Sequence, residues 1–552
     1  MRVRALAAAL ASLLMAAAES TIRFEDVAVR AGLRFVTDSC PTPNKNQPET
    51  MVSGLGLLDY DRDGDLDVYF TNGAAIPSLV KEEEKYKNRL FRNDGNLKFT
   101  DVTEAAGVAG AGYGMGVAVG DYDNDGWPDI YLANVTANQL YRNKGDGTFE
   151  DVTAKVGVAG GVLNERKMWS VAAGWFDYNN DGWLDLFVSN YCVWEVNQDP
   201  YCTDPSRTYR GYCHPQHYKP LPHTLYRNDG NGKFTDVSEE MGLARLYGKG
   251  MGVVFADYNS DGFLDVFVAN DTMPNQLFRN AGGKRFEEVG FELGVAYNEN
   301  AKALSGMGAE FRDLNNDGTP DIWHTSVEHE TFPLYVNRNG RLFVGTTAKS
   351  GLARPTYQMS GWSNGVADFD NDGWKDLFVA RANVLDTIEL LTRRRYPEPN
   401  SVFRNTGLGT FVEVSASAGQ DFQVEAAHRG AAFGDLDNDG RVDAVVSVLG
   451  GQARLLRNVS DSGNHWLMLH LVGTKSNRMG IGARVKLVDD KGRTQFNHAT
   501  TSTGYAASSD HRVHFGLAEA GKAAEIEILW PSGIRQVLRD VPADQILTVE
   551  ER

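Results

Sequence analysis

The nine residues Asp121-Tyr-Asp123-Asn-Asp125-Gly126-Trp127-Pro-Asp129 carry four carboxylates and a glycine at fixed spacing. Carboxylates at positions 1, 3, 5 and 9, with the carbonyl of position 7, make the oxygen cage that a hard divalent cation such as Ca²⁺ takes. Glycine at position 6 permits the sharp turn that brings consecutive side chains to one point. The pattern occurs seven times. Four copies hold the full carboxylate set: Asp59, Asp61, Asp63 and Asp67 with Asp65 at position 7; Asp121, Asp123, Asp125 and Asp129 with Trp127; Asp368, Asp370, Asp372 and Asp376 with Trp374; and Asp435, Asp437, Asp439 and Asp443 with Arg441. Three replace the position-3 carboxylate by an amide: Asp177, Asn179, Asp181 and Asp185 with Trp183; Asp257, Asn259, Asp261 and Asp265 with Phe263; and Asp313, Asn315, Asp317 and Asp321 with Thr319. Fewer charges mean weaker binding, so these three sites are expected to empty first under chelation.

An EF-hand also begins Asp-x-Asp-x-Asp-Gly, but it ends in a glutamate at position 12 and lies between helices. Here the last ligand is an aspartate at position 9, and the flanks are β-rich. Aspartates can also build Asx-turns between strands without any metal; seven copies at one spacing weigh against that reading. With a Kd of about 0.1 mM, about 1 mM free Ca²⁺ stabilises each site by roughly 1.4 kcal/mol. Up to seven Ca²⁺ ions would then give about 10 kcal/mol, comparable to the stability of a whole domain. Calcium is therefore expected to be structural.

The loops need a frame. Their first aspartates, from Asp59 to Asp435, recur with a period near 56 residues, lengthened by insertions. Each unit runs from a small-residue strand through the acidic loop to a β-branched and aromatic run such as Ile130-Tyr-Leu132. A strand such as Asn138-Gln-Leu-Tyr-Arg-Asn143 follows, and then Phe-x-Asp-Val, as in Phe149-Glu-Asp-Val152. Four short strands per unit predict propeller blades. The seventh unit lacks its Phe-x-Asp-Val strand, which appears instead as Phe24-Glu-Asp-Val27; an exchange of that kind closes a ring and removes an edge. The expected fold is all-β: a seven-bladed propeller over 22–459, then a small β domain over 465–552 whose strands carry no acidic loop. Glycines before the acidic loops (Gly54, Gly116, Gly252, Gly308, Gly430) lack the spacing and following helix of a phosphate site and fit a crowded central axis. Insertions fall at 74–88, a charged run read as a solvated loop or turn; at 191–223; and at 383–400, where Leu385, Ile388 and Leu391 have helical spacing.

A formal charge of −18 offers no basic stripe for nucleic acid. Residues 1–18 read as a secretory signal peptide, with Arg2 and Arg4 before a short apolar run and small residues near Ala18. Cleavage there makes the chain more negative still, and seven divalent ions would cancel most of that charge. No later window is apolar enough to cross a membrane as a helix. The chain is thus expected to be secreted, or periplasmic in a bacterial host. Four cysteines in an exported chain suggest disulfides: Cys202–Cys213 within one insertion is the expected pair, Cys40–Cys192 would then be the long-range one, and the sequence alone does not fix the pairing. His214, His217 and His223 beside Cys202 and Cys213 could make a transition-metal site, though a disulfide would consume the thiolates. The position-7 aromatics could stack on sugars, but wedging between blades is the expected role. There is no nucleophile elbow and no haem attachment motif, and nothing in the sequence points to an organic cofactor.

With these residues in view, the chain resembles secreted proteins that join FG-GAP/VCBS-type calcium-binding propeller repeats to an ASPIC/UnbV domain, the cartilage acidic protein-like family. The propeller half carries the resemblance through its loops and its Leu-Phe/Tyr-Arg-Asn…Phe-x-Asp-Val strands. The terminal domain carries it through Ile481-Gly-Ala-Arg484, His514-Phe-Gly-Leu517 and Trp530-Pro-Ser-Gly533. Tyr212-Cys-His-Pro-Gln-His-Tyr218 matches a Tyr-Cys-Gly-Pro-x-x-Tyr stretch of the family, with His214 departing at the glycine. The resemblance implies calcium-dependent recognition of, or adhesion to, an extracellular protein or glycan, with no catalytic residues to carry over. The competing expectation is an enzyme or a UnbV-like biosynthetic accessory protein with a site in the propeller funnel or the 191–223 insertion.

Overall fold

The computed structural model describes residues 22–163, 166–203 and 208–552. The stretch read as a signal peptide lies outside the described residues. Seven blades of four antiparallel strands follow one another around an axis, six as separate four-stranded sheets and the first within a six-stranded sheet that takes in two carboxy-terminal strands. In blade 2 the strands are Gly114–Gly120, Asp129–Asn134, Gln139–Asn143 and Phe149–Asp151, running from the axis outward. The alternation of side chains along a strand sends Ile130 and Leu132 into a core shared with Leu58, Tyr60 and Leu90 of blade 1. Tyr131 points the other way, to Trp175 and Leu186 of blade 3. Each blade is thereby apolar on both faces, which is why the second strand reads as a continuous hydrophobic run.

The seam is closed by the exchanged strand. Phe24–Asp26 pairs antiparallel with Arg454–Asn458, the third strand of blade 7. Phe24 packs edge-on to Phe369 and Phe378 of blade 6. Close approach at the axis explains the inner-strand glycines. A Cβ at Gly116 would lie 2.4 Å from the Val171 carbonyl oxygen, and one at Gly430 would lie 2.3 Å from that of Ser53, across the seam.

The carboxy-terminal strands form a three-stranded sheet (Val513–Ala518, His465–Val472, Gln545–Glu550) and a four-stranded sheet (Thr494–His498, Arg484–Asp489, Lys522–Leu529, Arg535–Pro542). Their shared core includes Leu469, Val485, Phe515, Ile526 and Trp530. Between these strands the chain leaves that core. A hairpin, Ser502–Thr503 and Ala507–Ser508, enters the propeller axis, where Ala507 pairs with Leu55 in blade 1 and Gly504 bridges to Ala309 in blade 5. Thr501 donates to the Val119 carbonyl, and the Phe433 N–H donates to Ser509. Tyr505 at the tip is buried, and its hydroxyl donates to the Met51 carbonyl at 2.7 Å. The central channel is plugged by the terminal domain.

The insertions wall the opposite mouth of the ring. The helical spacing at 383–400 yields one short helix, Ile388–Leu391. The charged run at 74–88 is a turn (Glu84–Tyr86) that is only partly solvated: Lys81 is half-buried, and its Nζ donates to the carbonyls of Asn72, Gly73 and Tyr86 at 2.7 Å each. Among the described residues no helix is long and apolar enough to cross a membrane.

Candidate metal centres and the funnel

Each acidic loop joins the innermost strand of a blade to its second strand, so all seven lie at one end of the ring. Two backbone positions set the turn. Position 4 is left-handed in every loop (φ 56° at Asn124, 60° at Arg62), and so is the position-6 glycine (φ 90° at Gly126). The position-1 carboxylate holds this shape, accepting the N–H groups of positions 5 and 6, as Asp121 does from Asp125 at 3.1 Å and from Gly126 at 2.8 Å. The position-5 carboxylate turns back to accept the position-7 N–H, as Asp125 does from Trp127 at 3.0 Å.

Three carboxylates converge in four loops. One oxygen from each of Asp59, Asp61 and Asp67 lies within 4.8 Å of the others, and the same holds for Asp121, Asp123 and Asp129, for Asp368, Asp370 and Asp376, and for Asp435, Asp437 and Asp443. Oδ1 of Asp61, Asp123 and Asp437 is buried with no hydrogen-bond partner, a costly state for a carboxylate unless a cation meets it. Burial pushes Asp59 up to about 6 and Asp121 and Asp435 up to about 7. The strand arginine takes outer oxygens instead: Arg142 bonds Asp123 at 2.5 Å and Asp125 at 2.9 Å, and Arg457 bonds Asp437 at 2.7 Å.

The three amide-bearing loops differ. Asn179 and Asn259 donate Nδ2 to the position-5 carboxylates Asp181 and Asp261 at 2.9 Å. In loops four and five a protein cation approaches the position-1 residue. Arg484 of the terminal domain bonds Asp257 Oδ2 at 3.0 Å, and buried Lys375 donates to the Asp313 carbonyl at 3.0 Å. Position 9 serves all seven loops as a buckle. Asp129 accepts from Tyr122 N–H at 3.1 Å and from Asn143 N–H at 2.8 Å; Asp185, Asp265 and Asp321 do likewise in the amide-bearing loops.

Two recurrent asparagines carry structure that pattern reading missed. The asparagine ending the third strand of each blade reaches back to the preceding blade: Asn143 to Tyr60 O, Asn228 to Tyr122 O, and Asn93 across the seam to Leu436 O. Its invariance among the seven repeats, from Asn93 to Asn458, was the available signal. Asn228 Nδ2 makes this bond at 2.7 Å and a second to Leu184 O at 3.2 Å, both buried. Asn228→Ala is therefore expected to cost about 2–3 kcal/mol through two unpaired carbonyls. The check is a lowered urea midpoint with an unchanged slope; no shift would mean the staple is dispensable. At position 4, asparagine tolerates the left-handed turn and bonds the next loop, as Asn124 does to Gly182 O at 2.9 Å.

The position-7 aromatics lie beside glycines in their own blade's outer turn: Trp127 at Gly145, Trp183 at Gly230, Trp374 at Gly407 and Phe263 at Gly283. Trp127 also meets the neighbouring blade, with the Arg62 guanidinium 5.0 Å from its ring centroid.

The opposite end of the axis opens into a funnel of about 280 Å³ lined by Met51, Met251, Met307, Tyr191, Trp362 and Leu385. Cys202 and Cys213 are disulfide-bonded in its wall. The expected Cys40–Cys192 bridge is absent, because the fold places the two thiols on different supports. Cys192 is buried beside Pro220 after the second strand of blade 3, and Cys40 faces the Ile76 N–H. The three histidines of the insertion do not converge either. His214 caps the Gln216 N–H, whereas His223 is buried between Gln276 and Asn190 and held neutral by desolvation, down at about 4. Asp271 lines the funnel, accepts from Tyr191 Oη at 2.7 Å, and is pushed by burial up to about 6.

Residues 59–132, 121–188, 222–268, 257–324, 313–379 and 385–446 match the FG-GAP-like repeat. Residues 473–552 match the family described as ASPIC and UnbV. Cartilage acidic protein 1 of Mus musculus is 25% identical over 551 residues, covering 94% of this chain and 76% of its own. The Xenopus tropicalis protein of that name is 26% identical over 527 residues, covering 90% and 73%. Among solved structures, an Agrocybe aegerita lectin with specific recognition of non-reducing terminal N-acetylglucosamine aligns at 14% identity and TM-score 0.42, over 73% of this chain and 87% of the lectin. YCF48 bound to D1 peptide aligns at 8% identity and TM-score 0.40, over 77% and 98%. Seven blades with their acidic loops, closed by the amino-terminal strand and followed by the matching terminal segment, make this chain a member of the FG-GAP-like repeat family that ends in an ASPIC and UnbV domain.

Proposed function

We propose that this protein is a secreted, calcium-stabilised recognition protein that holds an extracellular protein or glycan at the funnel mouth. The observation that carries the reading is the division of the ring's two ends. The acidic-loop end is covered by the terminal domain, whose hairpin seals the axis, whereas the funnel end keeps an open apolar cavity walled by the insertions. Binding sites of this kind are concave, mostly apolar and few per protein. The Cys202–Cys213 disulfide fits an oxidising compartment.

Calcium belongs to the frame in this reading. Hard oxygen donors and buried, unpaired carboxylate oxygens fit Ca²⁺, and the four position-1, -3 and -9 triads would hold it. The bound ion supplies positive charge that lets the carboxylates stay ionised while buried. The amide-bearing loops bind more weakly, since Arg484 and Lys375 already supply charge at two of them.

The test is a screen of the calcium-loaded full chain against panels of extracellular domains and glycans, repeated with Leu385→Trp at the funnel rim. A genuine ligand is expected to lose about tenfold or more in affinity when the rim is filled, at unchanged melting temperature. Binding that is indifferent to Leu385→Trp would move recognition away from the funnel.

A further inference from the structure

The asparagine clamp between successive acidic loops is interrupted twice. Asn124, Asn180, Asn316, Asn371 and Asn438 each donate Nδ2 to the position-6 carbonyl of the next loop, at 2.9–3.1 Å. Position 4 is Arg62 in the first loop and Ser260 in the fourth. A cleft opens at each interruption, between loops four and five and between loops one and two. The first of these clefts is occupied: Arg484 reaches Asp257 at 3.0 Å and Ser260 Oγ at 3.1 Å. The second is a cavity of about 510 Å³ between the ring and the terminal domain.

Two guanidinium groups meet there. A Cβ placed on Gly126 would lie 3.3 Å from Arg62 Nη1 and 4.0 Å from Arg478 Nε. Arg62 lies over the Trp127 ring at 5.0 Å, and its guanidinium makes no hydrogen bond among the described residues; that of Arg478 makes only a 3.4 Å contact with the Gly473 carbonyl. The third arginine in the cleft, Arg512, is committed to Asp510, Asn438 and the Asp435 carbonyl. Asp59, Asp63, Asp121 and Asp510 also face the cavity, as do His470 and His511. One Ca²⁺ in each of the first two loops offsets part of their carboxylate charge, and the Arg62 and Arg478 guanidinium groups keep forked donors with which to take a carboxylate or sulfate in bidentate fashion.

We propose that the cleft between the first and second acidic loops binds a small acidic ligand, its oxyanion clamped between Arg62 and Arg478. The proposal rests on the calcium reading above, because the unloaded loops present too much negative charge. The shared chemistry is a compact oxyanion, and the probes separate its sources: D-glucuronate for a carboxylate, D-glucose 6-sulfate for a sulfate ester, and D-glucose as the neutral control. Titration into the calcium-loaded full chain, followed by calorimetry and tryptophan fluorescence, is expected to show saturable binding of at least one acid and none of glucose. Arg478→Gln is expected to weaken binding about tenfold or more. Arg62→Asn should do the same while restoring the clamp residue found in five other loops, so its melting temperature should not fall. Acid binding that is unchanged in both variants overturns the proposal. Calcium uptake is titrated separately, without sugar. A chain that takes up calcium but binds neither acid overturns this proposal alone; a chain that takes up none overturns the calcium reading and this proposal with it.

Discussion

Transfer of the full chain from 1 mM Ca²⁺ into EDTA is expected to remove about 6 kcal/mol of stability, the sum of four triads at about 1.4 kcal/mol each. That is a large part of the 5–15 kcal/mol by which a folded domain is stable, so melting temperature and urea midpoint should both fall steeply. The unloaded state is worse than merely unbound. It leaves Oδ1 of Asp61, Asp123 and Asp437 buried without a partner, beside two further carboxylates in each loop. Asp123→Asn converts the second loop to the pattern of the third, where Asn179 donates to Asp181. It should cost roughly 1.4 kcal/mol in calcium and little or nothing in EDTA, where the amide relieves repulsion. Circular dichroism melts of both proteins in both buffers decide the matter: a chelator shift below about 1 kcal/mol would mean the aspartates serve only as turn formers.

That outcome would be intelligible, because the same residues do two things. Position 1 organises the turn and position 9 buckles the loop to the third strand in all seven blades, including those whose position 3 is an amide. The repeat could be counted from sequence because this buckle demands an aspartate at fixed spacing. The exchanged strand was legible from its own repeat: Phe24-Glu-Asp-Val27 has the Phe-x-Asp-Val pattern of three other outer strands, those starting at Phe99, Phe149 and Phe234. The plug was not. Residues 500–509 read Thr-Thr-Ser-Thr-Gly-Tyr-Ala-Ala-Ser-Ser, a polar and small segment that resembles a surface loop. They are small because inner strands crowd the axis, and polar because their partners are backbone groups remote in sequence, as with Ser508 Oγ accepting from Val119 N–H at 3.1 Å. The free thiols of Cys40 and Cys192 escaped for the complementary reason: an even cysteine count constrains pairing only when the fold brings the residues together.

Tyr505→Ala is expected to produce the largest single-residue effect, a loss of about 3–5 kcal/mol. The ring is fully buried, meets Trp362 edge-on at 5.4 Å, and Trp362 in turn carries the buried Arg429 guanidinium at 4.0 Å. Removing the side chain leaves a cavity at the floor of the funnel and strips the Met51 carbonyl of its donor. Tyr505→Phe separates these terms and should cost only about 1 kcal/mol, the value of one buried hydrogen bond. The hairpin also covers an ion pair on the inner strand of blade 5. Thr503 Oγ1 bonds Glu310, which lies 3.6 Å from Arg312, itself bonded to the His498 carbonyl at 2.9 Å. Loosening the hairpin admits water to that pair, so Tyr505→Ala should expose the 500–509 segment to limited proteolysis before the blades themselves are cut. In the calcium reading proposed above, the ions and the plug would hold the same inner strands by different means, the ions at their carboxyl ends and Tyr505 near their amino ends. If so, EDTA and Tyr505→Ala should destabilise more than additively, and a strictly additive result would show that the two ends of the ring are independent.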